Sequence, residues 1–357
     1  MKVLIDIGHP AHVHLFRNFA RVFSEKGHKV LFTVREKEHE IELLNFEKLP
    51  FVRTGRHYSS GFAKIAGLII INLKILFISF RFKPDLFLSH GSVYTLLSAF
   101  MLSKPNIALE DSGNHEQVRL YLPFTKAVLT STSFPYRYGN TQVFYNGYHE
   151  LAYLHPDYFT SDPVVVKELG VNEEEKYFIV RFVAWKASHD RKNSGLTIEQ
   201  KGEIVRYLST LGRVFISSES TLPSEFEAYR FPLKPERLHH ALAFASLFVG
   251  EGATMASESA VLGTAAVYVN TIRRGYLEEQ ERDYGLVSCF RSFDGVMTKI
   301  RDLLDQPDLK AATKMKSARL IKDKCDLTGF MIRFTEEWPD SFGGVVDKAI
   351  EPGKGLK

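Results

Sequence analysis

A glycine-rich turn in the second half of the chain carries the residue types of an anion-binding site. The segment GEGATMASE, residues 250–258, directly follows an apolar LFV run. Small side chains leave backbone N–H groups accessible, and a helix beginning near Thr254 would add its dipole. Gly252, Ala253 and Thr254 are therefore candidate contacts of a phosphate. Glu258, one turn further on, is a candidate acceptor for ribose hydroxyls. The alternative is a tight turn followed by a solvated glutamate.

Three histidines crowd the loop GHPAHVH, residues 8–14, which follows the first predicted strand and opens the first helix. In a parallel sheet such a loop lies at the ligand-binding edge. His9 and His12 are candidate acid–base groups, because imidazole titrates near neutral pH. His14 is an additional candidate. The alternatives are a metal site and histidines packed at a helix start. The sequence sets no carboxylate or cysteine partner for them, so we expect no metal.

Two adjacent acids, Glu110 and Asp111, end another predicted strand. Successive side chains of an extended chain point to opposite sides, so we expect one acid at the site and the other as a cap for the next helix. Partial burial of Glu110 would raise its pKa toward that of a general base. The alternative is a pair of solvated loop acids. His90 and Ser92, after the preceding strand, lie at the same sheet edge and are additional candidates.

Arg181 lies near the end of a strand in the second half, and a loop with Trp185 and His189 follows. A guanidinium at that position can pair with a diphosphate and neutralise a departing nucleotide without a metal. Trp185 and Ser218 are additional candidates. The alternatives are a structural salt bridge for the arginine and a domain seam for the tryptophan.

Short β-rich runs alternate with helical patterns along the chain. One series starts with KVLIDI (2–7), and a second starts with KYFIVRF (176–182). Each series predicts an open, doubly wound parallel sheet with ligands beyond the carboxyl ends of its strands. We therefore predict an α/β protein of two Rossmann-like domains that face each other across a cleft.

The composition of the segment 146–165, with Asn, Gly, Pro and Asp, predicts a linker. We place an N-terminal domain, with the histidine-rich loop and the paired acids, at residues 1–155. A second domain, with the glycine-rich turn, follows at 156–338, and its last helices are able to pack back on the first domain. Residues 339–357 are expected to form a flexible tail.

The bulk composition excludes several classes of protein. The 357 residues carry a net charge of +4 and are 45% hydrophobic. The length suits two domains, and the charge is too low for a nucleic-acid binder. Cys289 and Cys325 lack metal-ligand spacing and indicate reduced thiols in the cytoplasm. The N-terminus lacks the pattern of a signal peptide.

The apolar stretch FAKIAGLIIINLKILFISF, residues 62–80, approaches the length of a membrane span. Two lysines and an asparagine interrupt it, and Arg81 and Lys83 follow. A buried core helix, or a helix lying on a membrane surface, is favoured over a span. The two interpretations are therefore a helix of the core and peripheral membrane contact through residues 62–83.

The segment GATMASESAVLGTAAVYV, residues 252–269, resembles the donor-binding segment of GT-B nucleotide-sugar enzymes, above all the glucosaminyltransferase that forms lipid II. This resemblance implies that its Gly-Ala-Thr residues face the donor diphosphate and that Glu258 holds the ribose. Those enzymes usually carry a proline where this chain has Ala265.

Two segments, PDLFLSHGS (84–92) and NIALEDSG (106–113), resemble the non-hydrolysing UDP-N-acetylglucosamine 2-epimerases. AWKASHDRKN (184–193) resembles their H-R-x-E-N loop, with His189 and Asn193 at matching positions. This resemblance implies that His189 contacts the nucleotide-sugar. Ser92 stands where those epimerases carry an acid that their chemistry needs. From residue 1 to about 335 the chain resembles the family called domain of unknown function 354, on the segments DIGHPAHVHLF and NGYHELAYL and the pattern R-x-x-x-W-x-A-x-H-D. These resemblances imply a GT-B-like fold, in which the domain 1–155 is the acceptor and catalytic side and the domain 156–338 is the nucleotide-sugar side.

Residues and resemblances together predict a nucleotide-sugar-dependent glycosyltransferase that is independent of metals and of any bound cofactor. Its acceptor is expected to be a surface polysaccharide or a lipid-linked sugar. The catalytic candidates are His9, His12, Glu110 and Asp111. The alternatives are a UDP-N-acetylhexosamine 2-epimerase or hydrolase, and a nucleotide-sugar-binding protein without catalysis. We expect a cytoplasmic protein, at the inner face of the membrane if the peripheral contact is made. The sequence does not determine the nucleotide base, the stereochemistry of the transfer or the oligomeric state.

Overall fold

The computed structural model of the chain describes residues 1–37, 39–56, 61–172, 175–182, 195–218 and 221–342, with the backbone alone for 61–64. Strands and helices alternate along it, and the chain divides into two units. Unit 1 comprises Met1–Tyr153 and Cys325–Lys357, and unit 2 comprises Leu154–Lys324.

Unit 1 is built on seven strands and the helices between them. Its strands are β1 (Lys2–Ile7), β2 (Lys29–Glu36), β3 (Phe51–Arg56), β4 (Leu86–His90), β5 (Asn106–Glu110), β6 (Ala127–Ser131) and β7 (Gln142–Tyr145). Its helices are α1 (Pro10–Glu25), α2 (Glu40–Phe46), α3 (Gly61–Phe82), α4 (Leu96–Met101), α5 (His115–Tyr121) and α6 (Leu151–Leu154), with α14 (Leu327–Glu336) returning from the end of the chain. Short 3-10 turns lie at Leu122–Phe124 and Gly139–Thr141.

The seven strands pair in the order β3-β2-β1-β4-β5-β6-β7, and every pair is parallel. This is a doubly wound sheet whose order reverses between β1 and β4. The run Val3–Ile7 is buried because helices cover both faces of a parallel sheet. Apolar residues recur at helical spacing in α1, where Phe16, Phe19 and Phe23 are fully buried.

Unit 2 contains five strands, β8 (Tyr177–Arg181), β9 (Arg213–Ser217), β10 (Leu247–Gly250), β11 (Ala266–Val269) and β12 (Val287–Phe290). Its helices are α7 (Val164–Glu168), α8 (Ile198–Ser209), α9 (Leu238–Phe244), α10 (Ala253–Val261), α11 (Gly275–Glu279), α12 (Val296–Leu304) and α13 (Leu309–Asp323). Turns of 3-10 helix lie at Ser224–Tyr229 and Pro235–Arg237, and a π-helical turn lies at Gln280–Tyr284.

The unit 2 sheet has the order β12-β11-β10-β8-β9, and all its pairs are parallel. Its order reverses between β8 and β10, which is the flavodoxin-like form of a doubly wound sheet. The core packs the central strands, for example Phe178, Val180 and Val249, against α8. A capping box of Thr197 and Gln200 fixes the start of α8.

Helices α13 and α14 are separated at Lys324–Asp326. The linker and the tail differ in part from the sequence expectations. The first half of the segment expected to be a linker is buried in unit 1, where Tyr148 and Leu151 are at most 1% exposed. Of the expected tail, residues 343–357 lie outside the described part of the chain. Ser341, before them, is buried, and its hydroxyl donates to the Phe334 oxygen at 2.7 Å.

Candidate functional site

The carboxyl ends of β1, β4 and β5 meet at one edge of the unit 1 sheet, because these strands are adjacent and parallel. Open α/β sheets bind ligands at this edge, where the strand order reverses. Gly8 and His9 follow β1, His90 ends β4, and Asp111 follows β5. The predicted residues His9, His12, His90 and Asp111 are therefore brought to one place.

Asp111 joins two histidines from separate segments. His90 Nε2 lies 2.9 Å from Asp111 Oδ1, and His149 Nδ1 lies 3.2 Å from Asp111 Oδ2. The His12 ring stacks on the His90 ring, with centroids 4.6 Å apart. The His9 ring centroid lies 6.0 Å from that of His12. We call His12, His90, Asp111 and His149 the histidine–aspartate cluster.

Mutual interactions set the charges of the cluster. Burial alone would raise the pKa of Asp111, but His149 and His90 hold that pKa well below its usual range. Burial also lowers the pKa of His90, but the hydrogen bond and charge of Asp111, with a smaller effect of Glu110, raise it to about 9. At neutral pH His90 is therefore an imidazolium paired with a carboxylate.

His12 has the opposite character. Burial, followed by the charges of His90 and His9, holds the pKa of His12 well below that of a free histidine. Its Nδ1 accepts the backbone N–H of Gly8 at 3.3 Å, which leaves the proton of the neutral ring on Nε2. In this state His12 is a hydrogen-bond donor and not a base.

His149 is the member of the cluster that the sequence analysis did not propose, although its segment NGYHELAYL carries a resemblance. The residue is 8% exposed. Among the described residues its Nε2 has no hydrogen-bond partner. Because Nδ1 donates to an ionised carboxylate, the neutral ring presents a lone pair at Nε2. This is the arrangement of a histidine that an aspartate orients as a general base.

Removal of the Asp111 charge should change the titration of His90. In Asp111→Asn we expect the His90 midpoint to fall from about 9 to below the ordinary 6.5, because the burial that lowers its pKa remains. An NMR titration of the 13 histidine rings in EDTA-treated protein measures this shift, and His90→Gln assigns the signal.

The same shift makes stability depend on pH. A folded-state pKa above the unfolded value means that the ion pair contributes its full stability below pH 6.5 and loses it as the pH rises through about 9. The unfolding free energy of the wild type should fall across this window more than that of His90→Gln. A wild-type His90 midpoint at or below 6.5 would contradict the assignment.

Glu110 and Asp111 point to opposite sides, as the pleat requires. Glu110 Oε1 accepts the Ser112 N–H at 2.7 Å, the Ser112 hydroxyl at 2.6 Å and the Gly113 N–H at 2.9 Å. Its Oε2 accepts the Tyr121 hydroxyl at 2.7 Å. Four hydrogen bonds thus commit the Glu110 carboxylate to the turn after β5, and Asp111 is the acid that faces the histidines.

Ser92 binds a buried carboxylate that the sequence analysis did not propose. Asp6, 1% exposed in β1, accepts the Ser92 hydroxyl at 2.6 Å and Arg35 Nη1 at 2.9 Å on one oxygen. Its other oxygen accepts the Thr33 hydroxyl at 2.8 Å. Arg35 also lies over the Tyr94 ring, 4.0 Å from its centroid. The available signal was an acid inside the apolar run KVLIDI, since a buried charge must be paired.

The other two histidines of the first loop have separate positions. His9 is the N-cap of α1, and its Nδ1 accepts the Ala11 N–H at 3.2 Å. His14 lies more than a turn further along α1, half-buried, with its ring centroid 5.4 Å from that of Tyr153. The described contacts therefore place His9 beside the cluster and His14 beside Tyr153.

In unit 2 the glycine turn lies at the point where the strand order reverses. Gly250 of β10 is the register partner of Arg181 of β8. A Cβ atom on Gly250 would collide with the backbone oxygen of Arg181, so this approach requires glycine. Gly252 is the N-cap of α10 and, as a glycine, has no side chain with which to cap that helix. The first-turn N–H groups of α10 and its dipole are therefore directed beyond the sheet edge.

The side chain of Arg181 lies beside this turn. Its Nη1 donates to the Ser217 hydroxyl at 3.0 Å, and a Cβ atom on Gly252 would lie 3.3 Å from its Cγ. Ala253 is half-buried and Thr254 is exposed in the first turn of α10. Half-buried Ser218 follows the end of β9. The guanidinium, the turn and the helix start thus form one group.

Two glutamates near the turn are buried. Glu258 is 5% exposed, and its Oε1 pairs with His239 Nε2 at 2.9 Å. The carboxylate that the sequence assigned to ribose therefore also holds the contact between α9 and α10. Glu251 is 5% exposed as well, with the Leu196 N–H at 2.7 Å and Lys201 Nζ at 3.2 Å. It ties the turn to the start of α8, a role that the sequence analysis did not assign.

A family model described as "Protein of unknown function (DUF354)" matches residues 1–274. The chain belongs to the DUF354 family. The resemblance found in the sequence is thereby confirmed. A search of curated protein sequences gives no significant match.

Solved structures identify the fold of this DUF354 protein. UDP-GlcNAc 2-epimerase from Neisseria meningitidis bound to UDP-GlcNAc has a TM-score of 0.65 at 13% identity, over 90% of this chain and all of the other. The S. aureus MnaA–UDP structure has a TM-score of 0.64 at 13% identity, over 87% and 90%. Streptomyces sp. SF2575 glycosyltransferase SsfS6 with thymidine diphosphate has a TM-score of 0.57 at 14% identity, over 93% and 99%. The predicted GT-B-like α/β fold is confirmed, and likeness at these identities shows the fold alone.

Among the described residues of the DUF354 chain, one group has the composition of a metal site. His90, Asp111 and His149 each offer a ligand atom, and these atoms lie within 4.8 Å of one another. Two imidazoles and a carboxylate suit a divalent transition metal as well as a hydrogen-bonded network. The predicted contacts Trp185 and His189 lie outside the described residues.

Proposed function

We propose that this DUF354 protein is a nucleotide-sugar-dependent glycosyltransferase that acts in surface-polysaccharide or glycolipid synthesis. The observation that carries the proposal is the start of α10 at Gly252, beside Arg181, at the switch point of the unit 2 sheet. Backbone N–H groups, a helix dipole and a guanidinium together favour a diphosphate. The similar structures named above hold UDP-GlcNAc, UDP or thymidine diphosphate.

The donor is proposed to bind unit 2 through its diphosphate. Gly252, Ala253 and Thr254 lie at the start of α10, where their N–H groups would meet the phosphate oxygens. Arg181 would neutralise the charge that develops on the departing nucleotide, which is worth most in a site that excludes water. Contact of Glu258 with the ribose stays a prediction, and the pairing of that carboxylate with His239 would orient it.

The acid–base groups are proposed to come from unit 1. Asp111 orients His149, whose Nε2 would take the proton of an acceptor hydroxyl as that oxygen attacks the sugar carbon. The His90 imidazolium and the His12 Nε2–H would stabilise negative charge at the same place. His9, as the cap of α1, would hold the loop that carries His12.

The second candidate is a UDP-N-acetylhexosamine 2-epimerase or hydrolase. It is favoured by the bond between Ser92 and Asp6. That bond brings the Asp6 carboxylate within hydrogen-bond distance of the serine that stands where the epimerase motif has an acid. Both candidates use the same donor site, so the fate of the donor in the absence of an acceptor distinguishes them.

We propose that the transfer needs neither a metal nor another cofactor, because Arg181 and the α10 dipole already oppose the charge of the leaving diphosphate. A cytoplasmic location is proposed because the sequence has only two cysteines, Cys289 and Cys325, without metal-ligand spacing, and disulfide-rich proteins belong to oxidising compartments. EDTA should then leave turnover unchanged. A loss of turnover that Zn²⁺ restores would assign His90, Asp111 and His149 to a metal.

The first experiment is thermal unfolding of the purified protein against UDP-, GDP-, dTDP- and CMP-sugars. At a hundred times its Kd, a ligand stabilises the folded state by about 2.7 kcal/mol. We expect stabilisation by one nucleotide family, and nucleoside monophosphates as matched controls should stabilise less. If no nucleotide-sugar raises the melting temperature, the donor site is wrong.

The donor so identified is then incubated with the protein alone and followed by NMR. An intact donor indicates a transferase that awaits its acceptor. A new sugar epimer, or a free sugar with its nucleotide, indicates the second candidate.

A further inference from the structure

Over residues 65–82, helix α3 (Gly61–Phe82) uses a narrow stripe of its surface for the core. The buried positions are Gly67, Ile71, Ile75 and Ser79, which recur every four residues. Ile71 and Ile75 pack with Leu4, Phe87 and Ala99 of unit 1. Of the 18-residue window Ile65–Phe82, only 28% is buried. The greater part of an apolar helix is therefore outside the core.

The opposite face of α3 is both exposed and apolar. Ile65 is 62% exposed, Ile69 56%, Leu73 54%, Phe77 64% and Phe80 52%. At 3.6 residues per turn these side chains, with Ala66 and Ile70, fall on an arc of roughly 140° opposite the buried stripe. A continuous apolar face of this kind is typical of a surface that binds another protein or a membrane.

A groove runs between this face and the edge of the unit 1 sheet. Leu31 of β2 and Val52 of the edge strand β3 line one side, and Leu73 and Phe77 of α3 line the other. Its volume is about 820 Å³, within the range of roughly 300–1,000 Å³ typical of small-molecule sites. The groove is therefore large enough for an apolar chain.

The charges around the groove have one sign. Arg53, Lys74 and Arg81 line it together with the apolar side chains, and α3 contains no acidic residue. Within the described part of the chain these three basic groups make no ion pair. Lys74 and Arg81 follow the apolar arc on the helix wheel, so their apolar stems can lie along that face while their charges reach water.

We propose that α3 docks unit 1 on an anionic lipid bilayer, with the helix lying in the plane of the surface and the groove holding one lipid chain. Charge complementarity selects this occupant, because unneutralised basic groups beside an apolar face match phosphate headgroups above acyl chains. A second copy on the same face would place these like charges near each other, and a span would remove Ile71 and Ile75 from the core. The inference stands apart from the proposed function, since its test needs no substrate.

The test is flotation with vesicles of phosphatidylglycerol and phosphatidylcholine in equal parts, compared with pure phosphatidylcholine. The wild type should bind the anionic vesicles at low salt and leave them at high salt. In Leu73→Ser with Phe77→Ser, the partition coefficient should fall at least about tenfold. Lys74→Gln and Arg81→Gln should each lower it roughly fivefold on anionic vesicles only.

Two matched controls lie in unit 2. Met315, 76% exposed on α13, tests the loss of an exposed apolar side chain as Met315→Ser. Lys322, exposed at the end of the same helix, tests the loss of a charge as Lys322→Gln. Neither substitution should alter vesicle binding, and unchanged melting temperatures establish that all variants fold.

Four results would overturn the proposal. The first is that the wild type does not bind anionic vesicles, and the second is that the α3 variants bind them as well as the wild type does. The third is that only detergent extracts the wild type, which indicates a span. The fourth is a lipid-free dimer that Phe77→Ser dissociates, which would assign the face to a second copy.

Discussion

Asp111→Asn should lower turnover by about 10²–10⁴-fold, the range associated with general acid–base catalysis, and leave nucleotide-sugar affinity nearly unchanged. The amide keeps the shape of the carboxylate but removes the charge that holds the His90 imidazolium and orients His149. The proton acceptor is then misplaced while the anion site of unit 2 is untouched. Turnover is measured with the donor that stabilises the fold, and affinity by calorimetry.

The adjacent acid provides the matched control. Glu110→Gln makes the same chemical change one residue earlier, but Glu110 bonds the turn after β5 through Ser112, Gly113 and Tyr121. Glu110→Gln should lower the melting temperature, and it should reduce turnover much less than Asp111→Asn does. A similar loss of turnover in both variants would remove the distinction between the two acids.

A double substitution tests whether Asp111 and His149 act as one unit. In residues that act together, the second substitution costs little once the first has been made. His149→Ala, Asp111→Asn and the double variant should therefore lose turnover to similar extents. Losses that multiply would show that the two residues act separately.

The central strands could be predicted from the sequence because they are buried on both faces. β1 has the predicted bounds, and β8 is one residue shorter at each end than the predicted run 176–182. The three strands that the sequence analysis did not predict, β3, β7 and β12, all lie at sheet edges. Half-exposed edge strands tolerate polar residues, as TGR in β3 and the serine of β12 illustrate, so their apolar signal is weak.

The candidate site was predictable where local geometry decides it. Alternation along β5 separates Glu110 from Asp111, and strand order brings His12, His90 and Asp111 together. His149 was not predictable in this way, because it follows β7 in a segment whose composition resembles a linker. Its place depends on the fold of all seven strands, and a single sequence does not give that contact.

Arg181→Gln should weaken nucleotide-sugar binding by roughly 10- to 100-fold, the loss expected from one hydrogen-bonded pair with a charged group. Glutamine can still bond the Ser217 hydroxyl, which accepts Arg181 Nη1 at 3.0 Å, so the packing at the turn should survive. The substitution removes the positive charge beside the start of α10. Calorimetric titration with the stabilising nucleotide-sugar measures the change.

Arg213, at the amino-terminal end of the neighbouring strand, is the control for Arg181. Arg213 begins β9, at the end of the strand remote from Ser217, and pairs with Glu175 at 3.1 Å. Arg213→Gln removes the same charge from the same unit but not from the switch point, so nucleotide-sugar affinity should stay close to that of the wild type. If both substitutions weaken binding equally, the effect is one of net charge. If neither does, the diphosphate does not lie beside Arg181, and the start of α10 alone would have to hold it.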